Sequence, residues 1–148
     1  MNIIKADLSH VSDIAPLFNS YRVFYECESN IKLATTYIED RITNNESDIF
    51  IAVEEKTAVG FVQLYPSFCS VDAVKIYILY DLFVDSGSRK SGVGEALMNR
   101  ATKFAKTNGA ARLDLSTAKT NHPGQRLYER LGYKKTLEDF FAYSLSVE

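Results

Sequence analysis

Cysteine is scarce in this chain, with only Cys27 and Cys69. The pair has neither the spacing of metal ligands nor the number needed for a disulfide framework. Histidine is equally scarce: His10 and His122 stand isolated, with no cysteine ligands nearby, so no metal site is expected. No apolar run reaches membrane-spanning length. Residues Met1 to Lys5 lack the apolar core and cleavage site of a secretory leader, so a reducing cytoplasm is the expected compartment. An excess of positive charge is missing too: 17 Lys and Arg face 19 Asp and Glu, a net charge of -2. That argues against a nucleic-acid binder relying on overall basicity, and mildly favours cationic partners such as amines. Repeats, low-complexity tracts and interdomain linkers are absent. What remains suffices for a core. The 148 residues are 46% hydrophobic and 24% charged, which fits a single folded domain over 1–148.

The chain is organised around Ile76 to Thr107. Ile76 to Val84 is a nearly continuous apolar and aromatic run, suited to a strand buried on both faces. The turn Asp85 to Ser91 holds Gly87, Arg89 and Lys90. A helix then starts at Gly92-Val93-Gly94, with Val93, Leu97, Ala101, Phe104 and Ala105 on one apolar face. Asn108-Gly109 supplies a left-handed stop. The first turn of a helix has unpaired N–H groups and the positive end of the helix dipole. Glycines there let a ligand approach those donors, and Arg89 and Lys90 add charge. The combination suits phosphate or pyrophosphate; the other reading is a solvated basic turn before an ordinary helix. It is not a Walker loop, because Val93-Gly94 follow Gly92 where Lys-Ser/Thr is needed. It is not a Rossmann fingerprint either, because Leu97 takes the place of the third glycine.

The flanking chain predicts further elements. Asn2 to Ala6 reads as a short strand, and Asp7 or Ser9 caps a helix from about His10 to Phe24. Its apolar face is Ile14, Leu17, Phe18 and Tyr21, and Pro16 lies close enough to the start to be tolerated. A polar break leads to a second helix, Ile31 to Thr43. Asp48 to Val53 and Ala58 to Tyr65 read as strands joined by Glu54-Glu55-Lys56-Thr57, which has no glycine to set the turn type. Pro66 cannot donate to a ladder and belongs at a strand end or bulge, with Ser67 to Val71 as a turn. Ala111 to Ser116 alternates like a strand. Pro123 opens a short helix to Leu131, stopped by Gly132. Tyr133 to Lys135 and Phe140 to Ser146 read as closing strands. Hairpins in the first half and strand–helix crossovers in the second imply a mixed sheet covered by helices.

Arg89-Lys90-Ser91-Gly92-Val93-Gly94 is an Arg-x-x-Gly-x-Gly segment, and it resembles the coenzyme A pyrophosphate loop of the Gcn5-related N-acetyltransferase superfamily. Downstream, Asn121 followed by Leu127-Tyr128-Glu129-Arg130-Leu131-Gly132-Tyr133 is similar to that family's Asn…Leu-Tyr-Glu-x-x-Gly-Phe/Tyr segment. Upstream, Tyr21 to Tyr25 and Gln63 to Phe68 resemble the branch holding fungal histone and polyamine acetyltransferases and their bacterial relatives. The resemblance implies an α/β fold: a mixed central sheet of about seven strands flanked by four helices. It implies acetyl-CoA as cosubstrate, no metal, and direct acetyl transfer through a ternary complex to a polyamine, small amine or protein lysine. A homodimer is also implied. The alternative is a non-catalytic acyl-CoA sensor or interaction module on the same fold. Gly124 stands where many members carry alanine, and Asp85-Ser86-Gly87-Ser88 replaces a commoner proline-containing turn.

By the same resemblance, Leu82, Phe83 and Val84 offer backbone groups to the pantetheine arm. Arg89, Lys90, Ser91, Gly92, Val93 and Gly94 hold the pyrophosphate, and Asn121 bonds the arm, although a helix N-cap is its other natural role. Tyr128 matches the tyrosine that faces the coenzyme sulfur. A phenol, with its pKa of about 10, is protonated at neutral pH and can serve a leaving thiolate. It would equally pack as one more helix aromatic. The attacking amine must lose a proton from a group whose pKa is about 10.4. Asp81 is the one carboxylate inside the apolar central strand, where a charge is costly unless paired or functional. Glu26 and Glu28 lie in the break between the first two helices, which walls the acceptor site in the family. Asp81 and Glu26 are thus the candidate bases, with a structural hydrogen-bond acceptor and a solvated loop as their respective alternatives; loss of the amine proton through ordered water, with no dedicated base, is the remaining reading.

Overall fold

The computed structural model describes all residues from Met1 to Glu148. They form two compact units, Met1–Ser116 and Thr117–Glu148. In the first unit, β1 (Asn2–Lys5) leads through a 3-10 turn into α1 (Val11–Phe24) and α2 (Ile31–Thr43). Then come β2 (Asp48–Glu54), β3 (Thr57–Cys69), β4 (Val74–Val84), α3 (Val93–Thr107) and β5 (Leu113–Asp114). The sheet runs β1-β2-β3-β4-β5, antiparallel except for the parallel β4–β5 pair. The second unit has one regular element, α4 (His122–Arg130).

Helices cover both faces of the sheet, which is why β2 reads as unbroken apolar sequence. Ile14, Phe18, Ala34 and Ile38 of α1 and α2 share a buried cluster with Ile49, Ile51 and Phe61. Phe50, one residue out of phase, points to the other face and meets Phe104 of α3, ring centres 5.3 Å apart. Each such aromatic contributes roughly 1.5–3 kcal/mol when fully buried. The caps are local and legible. Asp7 and His10 make a capping box, and the Asn30 side chain accepts from the Leu33 N–H at 3.0 Å. Pro16 sits in the second turn of α1, where it and Ser12, whose carbonyl loses a partner, are both exposed. Gly109 and Gly132 take positive φ values of 77° and 96° just past α3 and α4, as their stop roles require. The two-residue turn between β2 and β3 is made by Glu55 and Lys56, both left-handed at φ 48° and 66°. Two left-handed residues match the twist of a hairpin without any glycine.

Three expectations are corrected. First, β3 does not end before Pro66. It continues to Cys69, with Pro66 opposite Tyr77. β2 begins at Asp48, opposite Leu64, so from Tyr65 onward β3 has an open side on which a missing N–H breaks no ladder. Second, β5 is only Leu113–Asp114, shorter than the alternating stretch suggested. Third, the sheet has five strands, not about seven: residues 133–148 contain no strand. Phe140, Phe141, Tyr143, Leu145 and Val147 are all exposed. Period-two alternation needs a neighbouring edge to become a strand, and the second unit offers none.

Candidate coenzyme cradle and acceptor wall

The site in the first unit is built on β4. Gln63 pairs with Asp81 and Leu64 with Leu79, so Tyr80 is an extra residue and β4 bulges there. On its other side β4 pairs with β5 only at Tyr77 and Ile78. The two strands part at the bulge, and β5 supplies no partner to Leu82, Phe83 and Val84. Those three are half-buried, at the point where β4 runs out toward the loop.

The loop is held from several sides. The Asp85 N–H donates to the Val59 carbonyl at 2.8 Å. The Arg89 Nε donates to the Val84 carbonyl at 2.9 Å, and its guanidinium lies 5.5 Å from the centre of the Phe83 ring. Ser91 donates its hydroxyl to the Ser88 carbonyl at 2.6 Å. Lys90 and Gly92 both take left-handed backbone, at φ 66° and 83°. Alternating backbone hand turns successive N–H groups toward one concavity, an anion-binding shape. Gly92 is the N-cap of α3 and has no side chain to accept from the first helical turn. A Cβ built on Gly92 would meet nothing within 4 Å, so this face is open. Val93 serves through its backbone, because its side chain is buried in the core; Gly94 continues the first turn. Gly60 sets the height of the whole arrangement. A Cβ there would stand 3.0 Å from the Phe83 carbonyl and 3.3 Å from side-chain atoms of both Val93 and Leu97. Only glycine lets α3 settle this close to β3.

On the α1 face lies a polar line through the core. Ser47, Gln63 and Asp81 are the buried polar or charged residues of the chain, and they are bonded to one another. Ser47 Oγ meets Gln63 Oε1 at 2.8 Å, and Gln63 Nε2 donates to Asp81 Oδ2 at 2.5 Å. Tyr21 from α1 donates its hydroxyl to the Tyr80 carbonyl at 3.2 Å and lies beside Asp81. Burial pushes the Asp81 carboxyl above its ordinary range, opposed by the Gln63 and Tyr21 donors. Burial and the adjacent carboxylate push the Tyr21 phenol up as well. Tyr65 packs edge-on to Tyr80 and bonds the Tyr37 hydroxyl at 2.6 Å. The result is a buried carboxyl 3% exposed beside tyrosine rings, with Tyr80 itself 65% exposed. Tyrosine ring faces attract cations, and a carboxylate is able to accept a proton.

Of the sequence-derived residues, Asp81 lies in this wall, while Arg89 through Gly94 and the Leu82–Val84 tail line the cradle. Glu26 lies in the turn after α1, exposed, with φ 66°. In the second unit, Asn121 caps α4: its side chain accepts from the Gly124 N–H at 3.2 Å and donates to Thr117 at 3.0 Å. A Cβ on Gly124 would lie 2.4 Å from that amide, so glycine makes room for the cap. Tyr128 sits half-buried on α4, its ring 6.2 Å from that of Tyr133. Sequence reasoning missed Ser47, Gln63 and Tyr65 as site residues. The signal for Gln63 was present, since it is a lone amide within the apolar strand AVGFVQLY.

Residues 14–133 match the model of the acetyltransferase (GNAT) family, a span that includes parts of both units. The chain is similar to a Bacillus subtilis protein described as the uncharacterized N-acetyltransferase YhfO, 44% identical over 147 residues, 99% of this chain and 98% of that one. A crystal structure of a probable acetyltransferase superposes with a TM-score of 0.91 at 33% identity, covering 100% of this chain and 99% of the other. The aminoglycoside N-acetyltransferase AAC(6')-Iy in complex with CoA shares the fold, with a TM-score of 0.83 at 18% identity over 97% and 93% of the two chains.

Proposed function

The chain belongs to the acetyltransferase (GNAT) family, and from that premise we propose that it transfers the acetyl group of acetyl-CoA directly to a primary amine in a ternary complex. One observation carries this reading: a left-handed, basic loop opens onto the uncapped start of α3, next to the parted edge of β4. The loop amides and Lys90 hold the diphosphate. The backbone of Leu82, Phe83 and Val84 and the side chain of Asn121 hold the pantetheine arm. Acetyl-CoA supplies an activated acyl carbon. The amine nitrogen bonds to that carbon, and the carbon–sulfur bond breaks. Asp81 receives the proton that the amine loses, and Tyr128 gives a proton to the departing thiolate. Asp81 is preferred to Glu26 because it is buried, oriented by the Gln63 amide and raised in basicity. The acceptor class is a polyamine, a small amine or a protein lysine. The protein works in the cytoplasm, and the exposed Phe141, Tyr143 and Leu145 support a dimer. No helix is long and apolar enough to cross a membrane.

The test is thiol release from acetyl-CoA with spermidine, small amines, aminoglycosides and basic peptides. At least one acceptor should give turnover. Coenzyme binding without turnover across the panel would refute transfer. Tyr128→Phe should lower kcat by about 100-fold or more, the usual size of general acid help, and leave coenzyme affinity near wild type. Equal losses in both would refute the acid role.

A further inference from the structure

We infer that Gln63, held by Ser47, is a positioning residue that fixes the Asp81 carboxyl and sets the pH at which the acceptor amine is deprotonated. This rests on the reading of Asp81 as the base. The first support is the polarity of the line. A glutamine oxygen only accepts, so at 2.8 Å the Ser47 hydroxyl must be donating. With Oε1 engaged, Nε2 is turned toward Asp81, where an ionised carboxylate needs a donor. A flipped amide could still bond the serine, whose hydroxyl also accepts, but it would set an oxygen against the ionised carboxylate. The second is register. Gln63 and Asp81 are directly opposed across β3 and β4, one step before the Tyr80 bulge. The backbone ladder therefore sets the spacing of amide and carboxyl. The third is burial. Gln63 is 0% exposed and Ser47 8%, so both ends of the amide are shielded from bulk solvent. Burying an amide in a strand that could hold valine costs stability unless both ends are bonded, and here both are.

The charges around Asp81 explain why an amide sits there. Tyr21 faces it from α1, with Tyr25 packed against Tyr21. Tyr65 faces it from β3, and Tyr37 of α2 bonds Tyr65. Tyr80 flanks it on its own strand. Arg41 lies over the Tyr37 ring and pairs with Glu46, and Arg22 follows Tyr21 on α1, but neither cation shifts the Asp81 carboxyl. The stabilisation of ionised Asp81 thus comes from neutral donors. A lysine at position 63 would pin Asp81 as a weak base, and an apolar residue would leave its charge unsupported. The glutamine lies between these limits, so the carboxyl can both take and release a proton.

The test compares Gln63→Met, which keeps length but removes both polar ends, with Ser47→Ala and Asp81→Asn. Two readouts are used: the pH profile of kcat/KM, and the carbon-13 carboxyl titration of Asp81 in the full chain without acceptor. In Gln63→Met the acid limb and the Asp81 titration should both move up by about one pH unit, the size of one lost charge-assisted hydrogen bond. The KM for acetyl-CoA should stay near wild type, and the rate lost should be larger on the acid limb than at high pH. Ser47→Ala should move both readouts in the same direction by less, and it serves if Gln63→Met fails to fold. An unmoved Asp81 titration, or a loss of rate equal at every pH, would overturn the inference. If instead Asp81→Asn kept the acid limb while the Gln63→Met titration still moved, the base assignment would fall and the clamp would stand.

Discussion

Gly60→Ala perturbs the fold and the cradle at the same point. The new methyl would sit 3.0 Å from the Phe83 carbonyl, tighter than ordinary contact, and 3.3 Å from Val93 and Leu97 side chains. The carbonyl belongs to the sheet and cannot rotate away, so β4 must shift at Phe83 and α3 must lift, each by a few tenths of an ångström. Overpacking of this kind costs ~1–3 kcal/mol. Replacing glycine in a strand returns ~0.5–1 kcal/mol by restricting the unfolded chain. The net loss is therefore roughly 0–2.5 kcal/mol. In a chain of this size about 2–4 °C is lost per kcal/mol, so Tm should fall by up to about 10 °C. The lift does not stop at stability. Phe83 precedes the loop and Val93 follows it, so the amides that face the diphosphate shift together. Coenzyme A affinity should fall by about tenfold, equivalent to ~1.4 kcal/mol. Calorimetric melting and titration with coenzyme A measure the two effects on one sample. An unchanged Tm with unchanged affinity would refute the claim that close packing at Gly60 sets the cradle.

Three further outcomes follow from the same geometry. Gly92→Val puts a β-branched residue at φ 83°, which costs ~1–2 kcal/mol, but nothing lies within 4 Å of the new Cβ. The protein should fold and lose coenzyme affinity by about tenfold or more, read by titration; retained affinity would remove the loop from the site. Asp81→Asn tests the burial of charge. The folded carboxyl lies above its ordinary 3.8, so the folded state keeps a proton that the unfolded chain releases. Wild-type stability is therefore lost as pH rises from that ordinary value through the raised one. The asparagine variant should gain on wild type over the same interval in urea unfolding, and a pH-independent difference would contradict the sign. Gly124→Ala should push the Asn121 amide out of its cap and cost ~0.5–2 kcal/mol, visible as fraying of α4 by hydrogen exchange.

Much of the architecture was legible where the signals were local. The bounds of α2 match the expectation because Asn30 accepts from its first turn and Asn44 and Asn45 end it. The strand–loop–helix around Arg89 to Gly94 was legible because glycines and cations at a helix start have few other uses. The pairing of β3 beyond Pro66 was not, because it depends on where β2 ends, a matter of distant chain. The closing strands over residues 133–148 failed for the converse reason: their alternation was sound, but no edge lies within their own unit. Asp81 stood out as a carboxylate in an apolar strand. Gln63 broke the same rule more quietly, and its tie to Ser47 needed the ladder that places β2 beside β3. The tyrosine wall depends on how α1 and α2 lie across the sheet, which no window of sequence contains.

The line from Ser47 through Gln63 to Asp81 also acts before any substrate arrives. A slip of one residue between β3 and β4 would turn the amide to the opposite face and leave the carboxylate alone among aliphatic side chains. An abandoned charge in the interior is far more costly than a poor hydrophobic fit. Misaligned sheets are thereby selected against during folding, and the strand alignment that survives is the one that also assembles the acceptor wall.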